Sequence, residues 1–471
     1  MSSGPTRSAV RPQDLVERAL SLSRTDGCVV IAEETSSTNL RWAGNTLTTN
    51  GETRGRSLTV IATVEGAGGT STGSLTRSNV RADEVEALVR AAEEAARSAE
   101  PAEDARPLVT AEGDGGTGWQ DEPAVTTSAV FGAFAPALGA AFERARSAGR
   151  ELFGFAEHDL ATSYLGSSAG IRRRHAQPGG RAEVTGKSHE RTRSTFVGQA
   201  SIDFTDVEVE RLEAEVVRRL GWAARTIDVS PGRYDTVLPP TAVADLMIYM
   251  YWSAAAREAQ DGRTVFSKPG GGTRVGERLS AVPVRLWSDP AAAGLACAPF
   301  VLAPASGPAS SVFDNGLPLG TTDWVADGTL AALLQTRASA ELTGLPLTPA
   351  VDNLLLEVPG SVGTTDDLVA ATSGRALLLT CLWYIREVDP QTLLLTGLTR
   401  DGVHVVQDGE VIGTATNFRF NESPVDLLSR IQAASASRPC LPREWGDYFT
   451  RTAMPALRVE GFNMSTVSPA S

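Results

Sequence analysis

The chain has 471 residues, 42% of them apolar and 21% charged, and a formal net charge of −13. That length predicts two or three domains with cores of their own. The acidic balance argues against nucleic acid or an anionic membrane as the main partner, and no apolar run approaches the roughly 18 residues that a membrane span needs.

The opening stretch, Met1 to Arg11, carries no hydrophobic signal core, so a cytoplasmic location is expected. The four cysteines, Cys28, Cys297, Cys381 and Cys440, are far apart and form no CxxC pair, so disulfides are not expected in that compartment. Of the four histidines, His158, His175, His189 and His404, no two lie within five residues, which excludes a zinc site built from local ligand pairs.

In chain order, residues 12–23 predict a short helix with Leu15, Ala19 and Leu22 on one face. Residues 27–32 read as a buried strand. Turn-separated strands follow at 38–42, 46–49 and 56–64, with Gly44-Asn45 as one turn and the glycine run 66–73 as another. Residues 79–98 make an amphipathic helix that presents Val85, Leu88, Val89 and Ala92. Residues 100–127 are rich in Pro, Gly and acid and read as a surface connection. A helix at 128–148, a strand-rich segment at 151–202 and a helix at 206–225 complete the first half.

The second half is organised around residues 241–266, which predict a buried helix with Val243, Leu246, Met247, Met250, Tyr251, Ala254 and Ala255 on one face. Thr241 is placed to cap it, Asp245 near its positive end, and Asp261-Gly262 at its stop. Many short apolar segments punctuated by Gly and Pro follow, which favours an antiparallel or mixed sheet. Asp408-Gly409 between apolar runs predicts a type I′ hairpin. The expected fold is α+β in two domains. Residues 1–228 form an N-terminal domain of helices on an antiparallel sheet, and residues 229–471 a mostly β domain with a central helix.

Each candidate for chemistry has a plainer reading. Gly166-Ser167-Ser168-Ala169-Gly170 fits the nucleophile-elbow pattern, which needs a strand before it and a helix after it. A second strand follows here, so a hairpin turn is favoured over a Ser168 nucleophile. The 66–71 glycine turn has no helix opening on it and reads as a hairpin turn, not a phosphate cradle. Gly270-Gly271-Gly272 lacks the residues of a P-loop and reads as a loop. Glu157 and Asp159 share one strand face with His158 on the other, and a solvated strand edge is the favoured reading. Arg172-Arg173-Arg174 reads as a charged edge. Cys440 is a thiol with no histidine near it in sequence. Trp252 and Arg257 are candidates to line a substrate cleft, set against a core tryptophan and a helix-end cation.

Several stretches taken together resemble the TldD/PmbA modulator-of-gyrase family of cytoplasmic peptidases. They are S-T-N-L-R-W-A-G-N, G-G-T-S-T-G, S-Y-L-G-S-S-A-G-I-R-R-R, V-F-D-N-G-L-P-L-G-T-T-D-W-V-A-D-G-T-L, H-V-V-Q-D-G-E-V-I-G-T-A-T-N-F and P-A-L-R-V-E-G-F-N-M-S, in that order over nearly the whole chain. The resemblance implies a TldD–TldE heterodimer whose TldD-like member binds zinc through an H-E-x-x-x-H helix and a later cysteine. In this chain Trp252, Ser253 and Arg257 stand where His, Glu and His would align, and no Gly-Lys follows Cys440. The resemblance therefore implies a TldE-like subunit with no metal, cofactor or catalytic residue of its own. Zinc and general base would come from a TldD-like partner, for hydrolysis of a peptide or modified peptide. Two alternatives stand beside it: the same pair acting as an amidohydrolase or N-deacetylase on a small biosynthetic intermediate, and an independent serine hydrolase using Ser168.

Overall fold

The computed structural model describes residues 10–111 and 118–468. Residues 1–9, read above for a signal core, and 112–117 of the 100–127 connection lie outside the described residues. The elements run α1 (Pro12–Leu22), β1 (Gly27–Trp42), β2 (Leu47–Gly66), β3 (Gly69–Ser78), α2 (Val85–Ser98), α3 (Phe134–Ser147), β4 (Arg150–Ser167), β5 (Arg172–Ser188), β6 (Arg193–Ala200) and α4 (Val209–Trp222). The six strands form one antiparallel sheet in the order β3-β2-β1-β4-β5-β6.

Strand alternation gives this sheet two different faces. On one face Val30, Leu58 and Val60 meet Leu15 of α1 and Leu88 of α2, while Trp42, Leu152 and Val184 meet Phe142 of α3 and Val216 of α4. Gly73 is where α2 comes closest, since a Cβ there would lie 2.3 Å from the Ala92 carbonyl. On the other face Val29, Ile31, Ile61 and Leu165 pack against Phe300, Val312 and Phe313 of the C-terminal half. That apolar joint covers one end of the second face and leaves the rest of it polar.

The C-terminal half continues with β7 (Gly232–Leu238), α5 (Pro240–Trp252), α6 (Ala256–Gln260), β8 (Arg285–Ser288), β9 (Thr322–Ala326), β10 (Thr329–Leu330), α7 (Arg337–Thr343), β11 (Leu354–Glu357), α8 (Thr365–Ala370), β12 (Arg375–Leu379), β13 (Leu382–Asp389), β14 (Leu394–Thr399), β15 (Val403–Gln407), β16 (Glu410–Thr414), β17 (Phe418–Glu422), α9 (Pro424–Ser429), β18 (Ile431–Ala434), β19 (Arg438–Cys440), β20 (Thr452–Met454) and β21 (Leu457–Val467). Two mixed sheets result, β10-β9-β8-β11-β20-β19 and β13-β14-β17-β21-β7-β12-β15-β16, with β18 beside β21. Helix α5 is buried between their elements in the largest apolar core. The α+β, two-domain arrangement is the one expected. The Asp408-Gly409 turn joins β15 to β16 with φ of 49° and 87°, both positive as type I′ requires.

Four expectations need correction. The strands at 27–32 and 38–42 are one strand, β1, because its middle residues pair on both sides with β2 and β4. The helix predicted over 128–148 splits into a 3₁₀ turn, Ser128–Phe131, and α3. The helix predicted over 241–266 stops at Trp252. Ala254 O accepts from Leu334 N–H and Ala256 N–H donates to Leu334 O, so the backbone between them leaves the helix to form a parallel bridge before α6 begins. Thr241 does not cap α5: the N-cap is Pro239, with Pro240 pre-set in the first turn.

Candidate substrate cleft

Helix α5 is apolar on nearly every side, so its chemistry is confined to its ends and to Asp245. Asp245 is fully buried. Its Oδ1 accepts from the Glu444 N–H at 2.9 Å, its Oδ2 has no hydrogen-bond partner among the described residues, and Trp445 Nε1 donates to its backbone carbonyl. Burial raises its proton affinity well above that of an ordinary aspartate, against the backbone N–H groups that face it, and its contacts make it a buried anchor for the 443–449 segment, where the sequence predicts a charge facing the helix dipole.

At the C-terminal end of α5, Trp252 is 40% exposed and meets Trp445 edge-on at 5.1 Å and Phe449 at 6.2 Å. Trp252 lines a cavity of about 570 Å³ with Tyr249, Ser253, Glu258, Arg263 and Glu387. Arg257 does not share a helix face with it. It lies beyond the break, on α6, and pairs with Asp261 at 3.1 Å and Glu103 at 3.0 Å. Cys440 lies at the other end of α5, with Sγ 3.5 Å from the Pro240 carbonyl and 3.4 Å from Thr452 Oγ1. Pro240 and Trp252 are the two ends of the 13-residue α5, about 18 Å apart by helical rise. Cys440 therefore cannot join a ligand set at the Trp252 end, and burial pushes its thiol up to about 12. Among the described residues no group of three or more His, Cys, Asp or Glu side chains is placed to hold a metal ion. Around the Trp252 end the cavity offers indoles, hydroxyls and the carboxylates of Glu258 and Glu387, with no imidazole or thiolate beside them, a poor ligand set for zinc.

The second site lies on the polar part of the N-terminal sheet's inner face. Strand register places Glu33 of β1, Ser163 of β4 and His175 of β5 in one row across three strands, and Glu157 of β4 beside Arg181 of β5 in another. Asp159 stands between these rows, opposite Gly179. Residues of the 446–451 segment, Asp352 and Leu302 face them and line with them an open cleft of about 390 Å³. Arg181 reaches Glu157 at 3.5 Å and pairs with Asp447 across the cleft, and Arg451 pairs with Asp352. Burial raises the proton affinity of Glu33, Glu157 and Asp159; the charge of Asp159 adds to the effect on Glu157, and Arg181 opposes it. Burial holds His175 below the usual imidazole range, and its Nε2 lies 3.0 Å from Gln177 Oε1.

The sequence placed Glu157 and Asp159 on one strand face, and they are there. It read them as a solvated edge, which is wrong: β4 is an inner strand between β1 and β5. His158 points to the helical side, with Nδ1 2.7 Å from Thr126 Oγ1 and Nε2 2.9 Å from the Ile202 carbonyl. Glu33, His175, Arg181, Asp352, Asp447 and Arg451 carry no motif, and only the pairing of distant strands brings them together. Arg172, in the run read as a charged edge, pairs with Glu17 on a part of β5 that β6 does not reach.

Ser168 sits in the β4–β5 hairpin turn, its Oγ accepting from the Cys28 N–H at 3.0 Å and its own N–H donating to the Cys28 carbonyl at 2.8 Å. No helix follows it, so the strand-to-helix strain of a nucleophile elbow is missing. The 66–71 glycine turn is the β2–β3 hairpin.

A family model described as the PmbA/TldA metallopeptidase C-terminal domain matches residues 231–466, and one described as PmbA/TldA metallopeptidase domain 1 matches residues 28–99. No curated protein matches the chain by sequence. Among solved structures, TldE from Thermococcus kodakarensis is similar at 14% identity and a TM-score of 0.74, over 96% of this chain and 99% of that one. A proposed modulator of a DNA gyrase from Thermotoga maritima is similar at 15% identity and 0.75, over 96% and 99%. Another from Bacteroides thetaiotaomicron is similar at 14% identity and 0.71, over 97% and 98%. At these identities the likeness is one of fold, while the family models span more than half of the sequence. The chain belongs to the PmbA/TldA (TldD/PmbA) metallopeptidase family.

Proposed function

We propose that this chain is the TldE-like, metal-free subunit of a two-subunit zinc metallopeptidase, and that it completes the cleft in which a TldD-like partner hydrolyses a peptide or modified peptide. The observation that carries the reading is the end of α5. Where the family's metal helix would present His, Glu and His, this chain presents Trp252 against Trp445 and Phe449, a break in the helix, and Arg257 turned away to Asp261 and Glu103. The thiol that would complete the set is about 18 Å off along the helix. In the partner, zinc would polarise the scissile carbonyl and activate a water. The contribution of this chain is shape and charge. A cytoplasmic site of action accords with the described residues, in which no helix is long and apolar enough to cross a membrane.

The test is co-expression with a TldD-like chain, followed by assays of peptide cleavage and of N-acyl amine cleavage. The reading predicts peptide cleavage by the pair, sensitive to chelator, and none by this chain alone. Cleavage of N-acyl amines only would favour the deacylase alternative. Cleavage by this chain alone that survives chelator would overturn the pairing.

A further inference from the structure

We propose that the cleft over the inner face of the N-terminal sheet is a binding site for a guanidinium or alkylammonium group. The open cleft is lined by both halves of the chain and holds about 390 Å³, a concave site between domains of the size that takes a small ligand group. Its lining carries five carboxylates against two guanidiniums, and both guanidiniums are already engaged. Arg181 is shared among Glu157, Glu183 and Asp447, and Arg451 is held by Asp352. The carboxylates of Glu33 and Asp159 form no hydrogen bond or ion pair among the described residues, and burial is the main influence on both. Opposite Asp159 the wall is Gly179, and a Cβ there would meet nothing within 4 Å. The floor therefore offers unspent negative charge beside a built-in vacancy. Tyr448, 74% exposed, is part of the cavity's lining and supplies an aromatic ring of the kind that attracts cations.

Glu157 and Asp159, two residues apart on one strand face, sit close enough to repel each other in a partly dehydrated setting. A planar guanidinium between them would relieve that repulsion and donate hydrogen bonds to both carboxylates. Such a group could arrive on a peptide side chain or as a free amine; the chemistry is the same.

Calorimetric titration of the full chain separates the sources. The probes are a blocked pentapeptide with a central arginine, its citrulline counterpart, and agmatine. The arginine peptide is expected to bind about tenfold or more tightly than the citrulline peptide, a difference of about 1.4 kcal/mol. Agmatine binding as well as the arginine peptide assigns recognition to the cationic head alone; weaker binding adds the peptide backbone. Glu33→Gln and Asp159→Asn should each weaken binding several-fold without lowering the melting temperature, because neither side chain holds the fold together and burial disfavours both charges. Gly179→Leu should abolish binding with every charge in place. Equal affinity for the arginine and citrulline peptides, no binding of either the arginine peptide or agmatine, or undiminished binding by all three variants would overturn the proposal. The titration uses this chain alone, so it can fail while the pairing with a metal-bearing partner stands, and the reverse.

Discussion

His404 gives the sharpest stability prediction. It lies on β15, is 2% exposed, and neither ring nitrogen has a hydrogen-bond partner among the described residues. Its ring meets Trp222 of α4 edge-on at 4.9 Å, and the Arg218 guanidinium lies 4.7 Å from the centre of the same indole. Burial and, after it, the charge of Arg219 push the imidazole down to about 3, with Glu215 opposing and Arg218 adding. A histidine whose folded pKa is depressed is neutral in the native state while the unfolded chain takes up a proton near pH 6.5. Its contribution to stability is whole above about pH 6.5 and is lost progressively as the pH falls toward 3. At 1.36 kcal/mol per pH unit, the loss is about 1.4 kcal/mol at pH 5.5 and about 2.7 kcal/mol at pH 4.5. Other groups titrate in that range, so the informative quantity is the difference between wild type and His404→Leu. In urea unfolding followed by tryptophan fluorescence, that difference should shift in favour of the variant by about 1.4 kcal/mol between pH 7.5 and 5.5. A difference that stays constant with pH would mean that His404 titrates alike in both states, and would refute the buried, unpartnered reading.

Other predictions follow from the same contacts. Trp252→Ala removes edge-on contacts with Trp445 and Phe449; at about 0.5–1.5 kcal/mol per aromatic pair, the chain should lose about 1–3 kcal/mol of stability in the same unfolding assay. Asp245→Asn keeps an oxygen for the Glu444 N–H and should cost less than Asp245→Ala, which leaves that donor buried and unpaired at about 1–3 kcal/mol; the opposite order would mean that this acceptor does not hold the 443–449 segment. Ser168→Ala should cost about 1 kcal/mol through the Cys28 N–H, and a fluorophosphonate probe should label neither form. All four cysteines are buried and none forms a disulfide. Thiol titration at pH 8 should find none reactive in the native chain and all four after denaturation.

Much of the fold was legible locally. Residues at i, i+3 and i+4 mark α1 and α2, and Asp-Gly marks the β15–β16 turn, because these signals are fixed by helix pitch and by the positive φ that the turn demands. The end of α5 was not legible. Ser253 to Ala256 continue the helical pattern, and only the pairing of Ala254 and Ala256 with Leu334 draws the backbone away. The cleft was legible in part. Alternation put Glu157 and Asp159 on one face, but whether a strand is central or at an edge depends on its partners, which local alternation does not encode. Its remaining charged residues come from β1, β5 and the loops around Asp352 and Asp447, and only the register of the sheet and the docking of the two halves assemble them.

The most direct measurement is the metal content of the purified chain, alone and in complex with a TldD-like partner, after dialysis against zinc and then against a weak chelator. A TldE-like subunit should retain only substoichiometric zinc by itself and about one equivalent in the complex, as expected for a single zinc site carried by the partner. A full equivalent of tightly held zinc in the isolated chain would contradict the assignment.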